Sequence, residues 1–321
     1  MEHMREFDWS DADIEAIVAI NNELWPEWPE TPEGRRRDWE SRNPRYFVHR
    51  VVWEEDGKVV AYGSCGESAW SYKPGKYAVY IQIFPAWQKR GIGTQIYDHL
   101  VGVLDGRELK PKELVSDTRE DKGDYKRFLE KRGYKVVQRQ EVSRLDPQAF
   151  DPTPYAYKRK RFDEAGLRIV TGEEFAADHE DWRKRFYDLD WELLQDVPTP
   201  DPLTRQPLEQ WVKEELEHPA FMLEGWFLAM DGDEIAGMTS FWRALADPTK
   251  LFNGLTGVRR PYRRKGIATV LKTHAIEFAK RSGIVDVITD NEENNPMFDL
   301  NVQLGFRKMP GWLVYRKILT E

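Results

Sequence analysis

The segment RRPYRRKGIATVLK, Arg259 to Lys272, sets five cationic side chains ahead of Gly266 and an apolar run. A glycine where a strand gives way to a helix lets the chain turn sharply. The first helical turn leaves backbone N–H groups without intrahelical partners, and the helix dipole adds partial positive charge. Such a turn holds a phosphate or a pyrophosphate. Gly266 and Ala268 leave room for those N–H groups to approach, Ile267 and Thr269 open the helix, and Arg263, Arg264 and Lys265 add charge. A cousin lies upstream: WQKRGIGTQIYDHL, Trp87 to Leu100, aligns without a gap to YRRKGIATVLKTHA, Tyr262 to Ala275. Gln88 matches Arg263, Gly91 matches Gly266, Gly93 matches Ala268 and Thr94 matches Thr269, with Lys89, Arg90 and Ile92 completing the first copy. The copies lie about 175 residues apart, too far for a solenoid repeat and right for a duplicated domain.

The elements that must position the two loops repeat with them. A strand-like run followed by proline precedes each, YAVYIQIFP and LFNGLTGVRRP. A helical pattern follows each: Ile92, Ile96, Leu100 and Leu104 in the first, Ile267, Leu271, His274 and Phe278 in the second. Then come a strand (ELVSDT, VDVITD), a helix ending in Gly-aromatic (RFLEKRGY, NVQLGF) and a closing β-rich run (KVVQRQEVSRL, GWLVYRKIL). Upstream, each half carries a hairpin with Asp-Gly at its turn. The expected organisation is an N-terminal domain over 1–150, a proline-broken linker over 151–165 and a C-terminal domain over 166–321.

Composition narrows the function classes. In 321 residues, 40% are hydrophobic and the formal net charge is -8, which suits packed cores and argues against general nucleic-acid or anionic-membrane binding. The single cysteine, Cys65, excludes an intrachain disulfide and a cysteine metal site, and the six histidines form no HExxH or HxH spacing, so no metal is expected. The N-terminus lacks an apolar signal region, and a cytoplasmic protein is expected. Neither loop has the GxxxxGK[ST] of the mononucleotide P-loop or the full dinucleotide fingerprint.

What remains is [QR]-x-x-G-x-[GA] after a strand and proline, with Gly-aromatic about 40 residues on. This arrangement resembles the GNAT superfamily of N-acetyltransferases, in tandem over nearly the whole chain, the layout of the mycothiol synthases. The resemblance implies an α/β class with two tandem GNAT folds, each a mixed, mostly antiparallel twisted sheet flanked by helices. It implies acetyl-coenzyme A on both loops (Gln88 to Thr94, Arg263 to Thr269), with the pantetheine arm beside strands ending at Ile83 and Val258. It also implies direct transfer to an amine of a small molecule, the amine being cationic in solution.

Many GNAT members carry Asn-x-x-Ala-x-x-x-Tyr-x-x-x-Gly-Phe on the last helix, where the Asn meets pantetheine and the Tyr is the acid. In NNPMFDLNVQLGF, Asn294 keeps the first position and Asn301 stands where the Tyr would be. In KGDYKRFLEKRGY, Lys122 and Leu129 occupy the two positions. The expectation is therefore a catalytic C-terminal domain with Asn301 steadying the leaving sulfur, and a degenerate N-terminal one. Asp188, Asp190 and Trp191 in FYDLDWELLQD are the expected seat for the cationic amine. A monomer or weak homodimer is expected. The rival reading is an acyl-coenzyme A sensor without turnover, favoured by the missing tyrosine.

Overall fold

The computed structural model describes residues 3–319. The chain divides into two units. The first comprises Met1–Arg139 with Pro200–Gln206 and Trp312–Glu321, and the second Gln140–Thr199 with Pro207–Gly311.

The first unit runs β1 (Met4–Glu6), α1 (Asp11–Leu24), α2 (Pro32–Ser41), β2 (Val48–Glu55), β3 (Lys58–Gly66), β4 (Lys76–Ile83), α3 (Ile92–Asp105), β5 (Glu113–Arg119), α4 (Gly123–Glu130) and the start of β6 (Lys135–Leu145). The β2–β3 hairpin turns on Asp56 and Gly57, both at positive φ, as a type I′ turn requires. Strands β1 to β4 pair antiparallel in order. β4 and β5 run parallel but pair only over Lys76 to Ala78, then part. Ile92, Ile96, Leu100 and Leu104 are all buried, so the helical period read from the sequence is the core face of α3. A Cβ on Gly63 would meet Ile96 and Leu100, so α3 covers the face of β3 that carries the odd-numbered residues.

The second unit contains α5 (Ala156–Glu164), β7 (Arg168–Thr171), α6 (Gly172–Asp178), α7 (Trp182–Leu194), the short α8 (Leu208–Trp211), β8 (Phe221–Asp231), β9 (Glu234–Arg243), β10 (Lys250–Val258), α9 (Ile267–Arg281), β11 (Asp286–Glu292), α10 (Pro296–Gln303) and the start of β12 (Arg307–Ile318). Strands β7 to β10 are antiparallel neighbours. β10 and β11 pair in parallel over Lys250 to Phe252. Most of the pairing in each unit is thus antiparallel, with one parallel, splayed pair beside the Gly-rich loop.

Two features depart from the expected organisation. The sixth strand of the first unit is Trp312 to Ile318 of β12, antiparallel to β5. The sixth strand of the second is Gln140 to Leu145 of β6, antiparallel to β11. Each unit's sheet is therefore closed by a strand drawn from the other half of the sequence. Residues 151–165 are not a free linker: they hold a turn and α5, whose Phe162 is buried in the second unit's main core. Pro200–Gln206 straps onto the first unit, where Asp201 lies 3.1 Å from Lys76 Nζ and Gln206 donates to the Ala69 carbonyl at 2.7 Å. Among the described residues no helix is long and apolar enough to cross a membrane.

Candidate functional site

Both loops adopt one backbone. After a short 3-10 turn (Pro85–Trp87, Arg260–Tyr262), Lys89 and Arg264 each take φ +62, Gly91 takes φ +85 and Gly266 φ +80, and the helices begin at Ile92 and Ile267. Gln88 Nε2 donates to the Ile83 carbonyl at 3.0 Å, and Arg263 Nε to the Val258 carbonyl at 2.9 Å. Each loop is thus tied to the end of its splayed strand. Gly93 sits close under the strand end: a Cβ there would lie 3.2 Å from Ile83 Cδ1, tight enough to shift that side chain.

The cationic cluster of the second loop is largely partnered within its own unit. Arg259 pairs with Glu192 and Glu234, and Arg260 and Arg263 both pair with Asp196. Lys265 sits over the Tyr262 ring, and Lys158 Nζ reaches Thr269 Oγ1 at 3.1 Å. Much of that charge therefore offsets local carboxylates. In the first loop Lys89 pairs with Asp124 at 2.9 Å, Arg90 stacks on Trp87, and Arg132 donates to Thr94 Oγ1 at 2.8 Å.

A cavity of about 920 Å³ opens in the first unit from this loop. Gln88, Lys89, Gly91, Gly93 and Thr94 line one end, and the sheet face opposite α3 forms its floor. Along that floor Arg50 stands opposite Ser64, and Ser64 opposite Tyr80; Val48, Gly66 and Ala78 form the next row. Ser64, Gly66 and Ala78 are small, which hollows the middle. Where β4 and β5 part, the Tyr80 hydroxyl hydrogen-bonds Asp117. Burial pushes the Asp117 carboxyl up to about 6. The adjacent carboxylate, with burial, holds the Tyr80 phenol well above its ordinary value. Gln82 donates to Asn21 Oδ1 at 3.2 Å and so joins α1 to this wall. Tyr125, on the first turn of α4, lines the same space. Its hydroxyl is buried against the Ile83 backbone, and burial pushes it up to about 12.

The corresponding face of the second unit is packed. A Cβ on Gly254 would fall 2.7 Å from Trp242 Nε1, and one on Gly257 would fall 2.9 Å from Leu193 Cδ1. Leu193, Trp226, Leu228 and Met238 belong to one buried cluster there, with Trp242 and Leu255 against it. Asn301 is fully buried and donates to Asn291 Oδ1 at 2.7 Å, while its own Oδ1 has no partner. Asn294 is exposed and its amide is held by Glu292 at 2.8 Å. Asp188 pairs with Lys184 on the same helix. Asp190 accepts from Trp211 Nε1 at 3.3 Å, and burial pushes it up to about 6; burial, and then the neighbouring Asp190, push Glu215 up to about 8. Trp191 lies beside Asp190 on α7. Asn301 and the Asp188–Trp191 group line no part of the large cavity.

From the sequence Tyr80 reads only as a core or strand-face aromatic, and Asp117 and Tyr125 were not singled out. Asp117 had a signal. Lys76 pairs with Glu113 as Lys250 pairs with Asp286, so the aspartates of ELVSDT and VDVITD, Asp117 and Asp290, hold equivalent positions. Tyr125 stands one helical turn before the position at which the motif expects its tyrosine, now Leu129.

A family model described as "Acetyltransferase (GNAT) family" matches residues 14–134 and 183–306. Among solved structures, a tandem GNAT protein from the clavulanic acid biosynthesis pathway is similar over 98% of this chain and 98% of its own, with TM-score 0.72 and 17% identity. A GCN5-related N-acetyltransferase from Sphaerobacter thermophilus is similar over 99% of this chain and 96% of its own, with TM-score 0.67 and 20% identity. A GNAT-family acetyltransferase from Colwellia psychrerythraea is similar over 98% and 99%, with TM-score 0.58 and 11% identity. At such identities the structural likeness speaks for the fold alone. No curated protein sequence matches the chain.

Proposed function

The chain belongs to the GNAT acetyltransferase family, and from that premise we propose that it moves an acetyl group from acetyl-coenzyme A to an amine of a small molecule, in the cavity of the first unit. The observation that carries this reading is the continuous space from the Gln88–Thr94 loop to the Tyr80–Asp117 pair, with Tyr125 on its wall. The sequence had favoured the second unit; the packing of Leu193 and Trp242 there argues for the first.

In this reading the N–H groups at the start of α3 hold the pyrophosphate. The pantetheine arm enters where β4 and β5 part, and brings the thioester to Tyr80 and Asp117. The amine nitrogen attacks the thioester carbon, the C–S bond breaks, and the amine's proton passes to the Asp117 carboxylate and on to water. The departing thiolate accepts a hydrogen bond from the Tyr125 hydroxyl, which at about 12 stays protonated, and takes its proton through that hydroxyl as water replaces it. The second unit shares the loop backbone but has a filled acceptor face, which favours acyl-coenzyme A binding without turnover as its part.

The test is thiol release from acetyl-coenzyme A against a panel of amines, across pH. Asp117 works only when ionised, so its limb of kcat/KM rises with unit slope below about pH 6 and levels off above it. Asp117→Asn removes that limb and lowers kcat/KM by about 10²–10⁴-fold. A limb that persists in the variant contradicts the assignment of the base.

A further inference from the structure

The floor of the first unit's cavity ends in a cation without a counter-charge. Arg50 lies on β2 in the same register row as Ser64 and Tyr80, and Asp117 stands beyond the parting of β4 and β5. Its guanidinium is 4.3 Å from the Trp39 ring centre and 5.6 Å from that of Trp9, so it leans toward α2 and away from β4. It meets the Tyr62 hydroxyl, and its Nε is buried with no hydrogen-bond partner. No carboxylate among the described residues pairs with it.

Each of the cavity's other arginines has its donors engaged: at the loop end Arg127 pairs with Asp124, and Arg132 donates to the Phe128 carbonyl and to Thr94 Oγ1. Arg35 is paired with Glu30, and Arg42 donates to the carbonyls of Tyr46, Phe47 and Glu67. Burying a cation without an anion is costly, and stacking on two indoles offsets only part of that cost. A guanidinium fixed this way is a ready fork for a carboxylate.

We propose that the acceptor is an elongated aminocarboxylate whose carboxylate pairs with Arg50 while its amine lies at Tyr80 and Asp117. This rests on the reading of the cavity as the place of transfer. The spacing sets the class. Arg50 and Tyr80 are two strands apart, roughly 10 Å at about 4.8 Å per strand. Arg50 leans outward from there, so the two ends lie farther apart than in an α-amino acid. An ω-amino acid of several carbons, or a short peptide, spans the gap.

The experiment compares 6-aminohexanoate with hexylamine, matched in carbon chain, by thiol release from acetyl-coenzyme A. The expected kcat/KM ratio favours the aminocarboxylate at least tenfold, Arg50→Met lowers that ratio at least tenfold, and Arg50→Lys keeps part of it. Equal rates for the two amines in the unaltered protein overturn the carboxylate assignment and leave acyl transfer standing, as does a ratio unmoved by Arg50→Met. Glycine turning over faster than 6-aminohexanoate overturns the elongated class. Should neither amine be acetylated, the transfer reading fails, and calorimetric titration with 6-aminohexanoate decides the anion site alone. Binding that Arg50→Met abolishes supports it; absent binding, or binding that survives the substitution, overturns it.

Discussion

Gly91→Glu and Gly266→Glu make the same change at the same backbone position of two loops, and they separate the two units. Both glycines sit in the left-handed region, at φ +85 and +80, where an L-residue costs about 1–2 kcal/mol. That cost falls on stability, and Gly91→Ala measures it without added charge. Nothing lies within 4 Å of a Cβ on Gly91, so no clash confuses the result. The new carboxylate then faces the pyrophosphate. At about 6 Å and an effective dielectric of about 40, each phosphate charge is repelled by about 1.4 kcal/mol, or about 3 kcal/mol for two. With salt screening, acetyl-coenzyme A affinity at the first loop falls about 10- to 100-fold, and kcat/KM falls with it. At Gly266 the Lys158 methylenes lie 3.6–3.9 Å from the new Cβ. The ammonium of that lysine can pair with the introduced glutamate, and transfer continues. Calorimetry with acetyl-coenzyme A and thiol-release kinetics on both variants read the outcome. Activity that survives Gly91→Glu and disappears with Gly266→Glu would refute the argument and return catalysis to the second unit.

Tyr125→Phe removes the proton donor but keeps the ring beside Trp25. General acids contribute about 10²–10⁴-fold, and a thiolate leaves readily, so kcat falls by about 10–100-fold, at or below the lower bound of that range. A single-turnover rate equal to that of the unaltered protein would dismiss Tyr125 as the acid. Asn301→Ala acts on folding: Asn291 loses its buried donor, and denaturant unfolding registers a loss of about 1–3 kcal/mol. A kcat effect much larger than the stability effect would reinstate Asn301 in the chemistry.

The duplicated loop, the buried stripe of α3 and the Asp56-Gly57 hairpin were legible because each is a local pattern with a local cause. The exchange of closing strands was not. KVVQRQEVSRL and GWLVYRKIL read equally well as last strands of their own halves, and neither alternation names the strand it pairs with. The cavity was illegible for the same reason. It exists because Ser64 and Gly66 of one strand meet Ala78 of the next, and its counterpart is closed because Trp242 and Leu193 meet Gly254 and Gly257. The cationic run was visible, but its partners Glu192, Asp196 and Glu234 lie on other elements. The motif on the last helix directed attention to Asn301 and Leu129, both buried, while Tyr125 stood one turn earlier.

The crossing of the two closing strands bears on how the protein comes into being. A nascent chain emerges from its N-terminus, and ordinary tandem domains fold one after the other as they leave the ribosome. Here β5 waits for Trp312 to Ile318, made only after the whole of the second half. Until then, the earlier half carries an unpaired edge, the kind of surface that recruits stray strands. The second half, by contrast, has Gln140 to Leu145 in hand before the rest of it is translated. The two halves are therefore not separable modules: cutting the chain between them would leave each piece holding a strand that closes the other's sheet.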